Sequence, residues 1–146
     1  MPSRRERDHI PDSNFKVEIE GVDAGSFTEV DGLESAIEVE EYADGDDLTV
    51  HKRPGRATYC NIILRRGFTF PSHGSVLFNW YKDAVNGQYS RKSLSIIILD
   101  NAANEIMRYN VFEAWPCRWR FGALSALGNG TIVEEIELAI EKIELG

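Results

Sequence analysis

The sequence predicts a mainly β protein with one α-helix at about 74–86 and a long inter-strand loop at about 43–56. Three observations carry this. Apolar residues alternate with polar ones in several short runs, only one segment repeats at helical spacing, and clusters of Gly, Asp, Asn and Pro punctuate the rest.

Residues 1–13 hold Arg4, Arg5 and Arg7, two prolines and little to bury, so they read as a flexible arm ahead of one domain at 14–146. In NFKVEIEGV, Phe15, Val17 and Ile19 alternate with Lys16, Glu18 and Glu20, which predicts a half-buried strand turned at Gly21 to Gly25. Ser26 to Val30 is its expected hairpin partner. AIEVEEY predicts another strand, with Ile37 and Val39 set against Glu38 and Glu40. The excursion ADGDDLTVHKRPGR then has turn formers at both ends and no apolar period.

From Ala57 to Arg66 the alternation resumes, with Thr58, Cys60, Ile62 and Leu64 on one face and Tyr59, Asn61, Ile63 and Arg65 on the other. Apolar groups on both faces predict a strand near the middle of the structure. Leu77, Trp80, Tyr81 and Ala84 recur at helical spacing, with Ser72 or Ser75 as cap and Gly87 as stop. SLSIIIL and EIMRYNVF flank DNAAN as a hairpin. Trp115, Cys117, Trp119 and Phe121 continue an odd-numbered phase past Pro116, predicting a bent strand that still feeds the core. In TIVEEIELAIEKIEL, Ile132, Ile136, Ile140 and Ile143 fit a helical stripe. Ile136, Leu138 and Ile140 equally fit a strand that changes phase before Ile143 and Leu145.

At 146 residues and 42% hydrophobic content the chain can bury one core without metal or disulfide staples. Sixteen Lys and Arg against 24 Asp and Glu give a net charge of -8, which disfavours nonspecific binding to nucleic acid or anionic membrane by the domain as a whole. Cys60 and Cys117 could form one bridge, and two buried free thiols are the favoured reading. The N-terminus lacks the apolar core of a signal peptide, and no window reaches the ~20 apolar residues of a membrane span, so synthesis and assembly in the cytoplasm without a membrane anchor are expected.

Catalytic and metal chemistry finds little footing. His9, His51 and His73 lack metal-pair spacing, no nucleophile elbow occurs, and D-G-D-D lacks the calcium-loop pattern. The expectation is no enzyme, no cofactor and no metal. Charge is nevertheless segregated. Lys52 to Arg66 carries five cations and no acid, residues 38–47 carry six acids, and Glu134 to Glu144 carries five Glu and one Lys. Such segregation suits head-to-tail association of copies, although the signs could also interleave on one surface.

EYADGDDLTVHKRPGRATYCNIILRRG resembles the signature of the tail-tube protein family of contractile phage tails and phage-tail-like contractile injection systems. That signature is roughly Y-x-x-G, a spacer, K-x-P-G, then a strand ending L-x-R-G. It falls on Tyr42, Gly45, Lys52, Pro54, Gly55, Leu64, Arg66 and Gly67. NFKVEIEGVDAGSFTEVDGLES, Leu77 to Tyr81, EAWPCRW and EEIELAIEKIEL resemble further family segments in order.

The resemblance implies an antiparallel β-sandwich or barrel, a strand at the C-terminus, and hexameric rings stacked into a hollow tube. It implies partners as well: a contractile sheath, baseplate and tube-terminating proteins, and DNA or effectors as cargo. Asp44, Gly45, Asp46, Asp47, Lys52, Arg53, Pro54, Gly55 and Arg56 would form an inter-subunit loop. Glu134, Glu135 and Glu137 would be candidates for an acidic lumen or docking face. A tube initiator, terminator or baseplate-proximal paralogue is the alternative within that class. A small nucleic-acid-binding domain, using the basic 52–66 segment with Tyr59 as a stacking group, is the alternative outside it.

Overall fold

The structure, a computed structural model, describes residues 15–67, 76–88, 91–123 and 132–146. The N-terminal arm and the Ser72 or Ser75 cap lie outside these residues.

β1 (Phe15–Ile19) and β2 (Val22–Phe27) form the first hairpin. The turn is at Glu20 and Gly21 and not across Gly21 to Gly25, so the partner of β1 is Val22–Phe27 and not the expected Ser26 to Val30, whose Val30 belongs to a separate strand. Their turn places Glu20 and Gly21 at φ of 51° and 81°, a conformation glycine adopts freely. After Thr28 the chain continues as β3 (Glu29–Asp31), then β4 (Ser35–Tyr42), β5 (His51–Tyr59) and β6 (Ile62–Gly67). The helix α1 (Val76–Val85) follows, with Leu77 and Trp80 buried. β7 (Lys92–Leu99), β8 (Glu105–Ala123), β9 (Ile132–Ala139) and β10 (Lys142–Leu145) complete the described elements.

All the strands except β4 and β5 share one antiparallel sheet, in the order β2-β1-β7-β8-β9-β6-β3 with β10 beside β8. The two ends of that order, β2 and β3, are consecutive in the chain. Thr28 between them donates its N–H and Oγ1–H to the Arg65 carbonyl at 2.9 and 3.1 Å. The sheet therefore closes through this corner into a barrel, as the sandwich-or-barrel expectation required. Val17, Ile19, Phe27, Ile62, Leu64, Leu94, Ile96, Val111, Ile136 and Leu138 fill it from the strands, and Leu77 and Trp80 cover it from the helix.

The C-terminus resolves as strand. Ile136 and Leu138 point inward on β9, the ladder breaks at Ile140 and Glu141, and Ile143 of β10 packs against the core in the opposite phase.

Three further expectations need correction. The 43–56 excursion is a loop only as far as Val50, because β5 begins at His51 and pairs with β4 to Tyr42. The reason is cross-strand: Lys52 and Arg53 find Glu41 and Glu40 opposite them, which local reading of KRPG as a turn cannot reveal. Ala57 to Arg66 is not one strand either. The chain leaves β5 at Tyr59, crosses at Cys60 and Asn61, and enters the barrel at Ile62. Lastly, β8 does not hold an odd-numbered inward phase. Its register with β7 slips beside Glu113, at φ 56°, so that after Val111 the buried residues are Ala114 and Pro116. A second slip between Pro116 and Arg118 follows, and Trp115, Cys117 and Trp119 are only half-buried.

Candidate functional site: a projecting hairpin and a charged sheet face

β4 and β5 form a two-stranded sheet of their own, and every residue of β4 is exposed. Gly32 fixes the exit from the barrel. It sits at φ 91°, and a Cβ there would lie 2.0 Å from the Asn61 carbonyl oxygen, so no other residue fits without moving the crossing. Cys60 N–H donates to the Glu34 carbonyl at 3.2 Å, tying the two limbs together at the base. Beside the base lies an open cleft of about 300 Å³ lined by Leu33, Glu34, Ser35, Tyr59, Tyr109 and Ile143.

The hairpin register sorts its side chains onto two faces. Tyr42 with His51 and Glu40 with Arg53 share one face. Arg53 Nε donates to Glu40 at 2.9 Å and its guanidinium lies 5.4 Å from the Tyr42 ring centroid. The Tyr42 and His51 rings are 5.5 Å apart, and His51 Nε2 is 3.1 Å from Asp47 Oδ2. The other face carries Ile37 with Ala57, Val39 with Pro54 and Glu41 with Lys52, and beyond the ladder the loop holds the exposed Val50 and Leu48. Ile37 is 59% exposed, Val39 61%, and Leu48 wholly so. Gly55 lies opposite the bulge at Glu38, where a Cβ would come 3.2 Å from the Glu38 carbonyl. Pro54 is accommodated because the hairpin has no further strand beside it.

The nine residues expected in an inter-subunit loop thus divide. Asp44, Gly45, Asp46 and Asp47 occupy the tip, where the Asp47 N–H donates to the Asp44 carbonyl at 2.8 Å. Lys52, Arg53, Pro54, Gly55 and Arg56 belong to β5.

Glu134 is not on any outward face. It is 2% exposed inside the barrel, where Arg66 Nε donates to Oε1 at 2.8 Å and Trp119 Nε1 donates to Oε2 at 3.3 Å. Arg66 also donates to the Ala24 carbonyl at 2.6 Å and lies 4.9 Å from the Phe27 ring centroid, so β2, β6, β8 and β9 meet at this pair. Glu135 and Glu137 do face outward. Arg65 bridges Glu135 at 3.0 Å and Glu29 at 2.8 Å, and these carboxylates, Glu29 foremost, hold its guanidinium above its ordinary pKa. Glu137 accepts from Asn61 Nδ2 at 3.0 Å.

Across the outer face the register aligns Glu29, Arg65, Glu135 and Arg120 in one row and Asp31, Ile63, Glu137 and Arg118 in the next. Sequence reasoning missed Glu29, Asp31, Arg118 and Arg120. Their only signal is the pairing of distant strands.

Both cysteines are free, but Cys60 is exposed, contrary to the expected burial. Desolvation and then the Glu34 carboxylate raise the Cys60 thiol, as desolvation and then Glu137 raise that of Cys117. Among the described residues no cluster of three or more His, Cys, Asp or Glu could hold a metal, and no helix is long and apolar enough to cross a membrane.

The sequence family described as T4-like virus tail tube protein gp19 matches residues 11–144, and the chain belongs to that family.

Solved structures agree. A chain of the PVC extracellular contractile injection system, in the sheath–tube complex in its extended state, is 28% identical, with 97% of this chain and 93% of that one covered and a TM-score of 0.79. A chain of the PVC sheath/tube terminator in the extended state is also 28% identical, with coverage of 97% and 99% and a TM-score of 0.76. Hcp1 from Flavobacterium johnsoniae shares the fold alone, at 17% identity, coverage of 90% and 94%, and a TM-score of 0.53. No curated protein sequence matches.

Proposed function

We propose that this chain is a subunit of the inner tube of a contractile tail or injection system, forming hexameric rings that stack into a hollow conduit for DNA or effectors. A sheath, a baseplate and a tube terminator are its proposed neighbours. The observation that carries the reading is the β4–β5 hairpin. An isolated two-stranded hairpin is marginal in water, and this one leaves Ile37, Val39, Val50 and Leu48 bare. Docking against another copy in the tube covers them. Membership of the tail-tube family and the 28% identity to a PVC sheath–tube chain support the same role.

Much of the charge is paired within the chain. Arg53, Arg65 and Arg66, three of the five cations between residues 52 and 66, are held by acids of their own chain, which also leaves little free charge there for a nucleic acid. The hairpin therefore docks chiefly by apolar contact, with the Glu41–Lys52 pair on the same face and Arg56 and the tip acids around it.

Ile37→Asp with Val39→Asp tests this. β4 touches little of the barrel, so the variant keeps the wild-type melting temperature within a few degrees, yet forms no stacked tubes in electron micrographs. Tubes as abundant as those of wild type would overturn the hairpin's role.

A further inference from the structure

Outside the hairpin and the charged sheet face, one cleft gathers polar groups that nothing in the fold uses. Its volume is about 260 Å³, and among the described residues it is lined by Ile19, Val76, Asn79, Trp80, Asp83 and Lys92. Three elements build it: β1 ends there at Ile19, α1 supplies one wall, and β7 begins there at Lys92. Asn79 and Asp83 stand four residues apart on α1 and so project from one face of the helix. The β1–β7 ladder pairs Ile19 with Leu94, and the Glu20 N–H donates to the Ser93 carbonyl at 2.9 Å, which fixes the start of β7 against the end of β1.

The floor is apolar and packed, whereas the walls are polar and without partners. Ile19 and Trp80 belong to the core, at 7% and 4% exposure. Lys92 Nζ lies 5.9 Å from the Trp80 ring centroid, a cation over an aromatic face. Among the described residues, Lys92 meets no carboxylate, Asp83 meets no cation, and the Asn79 side-chain amide has no hydrogen-bond partner. The contrast is with Arg53, Arg65, Arg66, Arg91 and Arg108, which all find acids within the chain. Here an acid on α1 and a base on β7 line one cleft and do not touch.

We infer that this cleft is a binding site for a small zwitterion of the amino-acid class, its ammonium group on Asp83, its carboxylate on Lys92 and its carbon skeleton against Trp80 and Val76. The charges select the class. A simple cation gains Asp83 but is repelled by Lys92, and a simple anion has the reverse difficulty, so only a molecule carrying both charges satisfies both walls. An Asp83–Lys92 ion pair would fill the space itself, and the separation of the two leaves room for a ligand that spans them. At about 260 Å³ the cleft lies below the roughly 300–1,000 Å³ typical of drug-sized ligands, which suits a molecule as small as a free amino acid. The site uses no residue of the β4–β5 hairpin and does not rest on the tube-subunit reading.

Glycine, β-alanine, γ-aminobutyrate and leucine, which vary the spacing of the two charges and the apolar bulk, are titrated into the isotope-labelled wild-type chain. The Trp80 indole N–H, the Asn79 side-chain amide and the Lys92 backbone amide report by nuclear magnetic resonance. Saturable shifts at these groups are expected with at least one of the four. Propylamine and propionate, which carry one charge each, bind at least about tenfold more weakly than that compound. This comparison is made on the wild-type chain and does not depend on how any variant folds. Asp83→Asn and Lys92→Gln each weaken binding of the same compound at least about tenfold, with folding checked by circular dichroism. No saturable shift with any of the four zwitterions, equal binding by propylamine or propionate, or wild-type affinity in both folded variants overturns the inference.

Discussion

Arg66 and Glu134 show what the family signature's Arg-Gly ending does in this chain: the arginine enters the barrel and is neutralised there by a carboxylate 2% exposed. Removing one partner strands the other charge in a dry interior. Glu134→Ala is therefore expected to lower the unfolding free energy by about 3–5 kcal/mol in urea titration, whereas Arg66→Met/Glu134→Leu costs much less. Equal losses from the single and double variants would deny the pair its role. The position was half legible, since Glu134 shares the even phase of Ile136 and Leu138, but its place in an acidic run drew the reading outward. Cys117 makes a second prediction at this scale. Desolvation, aided by Glu137, raises its thiol above the usual 9.0, so the unfolded thiol ionises first as pH rises. Its stabilising term is complete below pH 9.0, is lost above it as pH climbs through the folded value, and is absent from Cys117→Ala. Urea titrations of both proteins between pH 7 and 11 check this. Parallel curves would contradict it.

Elements were legible where a local period decides them and illegible where a distant partner does. Strand β1 and the helix follow from alternation or helical spacing alone, and β7 from its apolar run beside the DNAAN turn, whereas β9 fits strand and helix equally by period and only the family resemblance implies a strand there. The limits of β5 do not follow locally, because Lys52 to Arg56 become strand only through Val39 to Glu41 opposite. The phase of β8 was hidden for the same reason: its slips at Glu113 and Pro116 answer to β7 and β9. The hairpin's weak attachment predicts its dynamics. In unassembled subunits the amides of β4 and β5 should exchange with deuterium nearly as fast as open chain, while Leu94 to Ile97 and Val111 are strongly protected. Assembly should slow the hairpin at least about tenfold. Hairpin protection that is already high in the monomer would mean that it does not await a partner.

At the scale of the whole molecule, the net charge of -8 conceals how much of the charge is paired. Arg53, Arg65, Arg66, Arg91 and Arg108 all meet acids within the chain, so the opposing runs read in the sequence resolve largely as internal pairing. Among the described residues, what remains for association is chiefly the exposed apolar face of the hairpin. Hydrophobic docking and partly covered ion pairs resist screening better than exposed charges do, so tubes should persist at moderate salt. The most direct test of the tube-subunit account is negative-stain microscopy of the purified wild-type chain over a series of concentrations and salt. The account predicts six-fold rings with a central opening that stack into tubes as concentration rises. Monomers alone under every condition would contradict it.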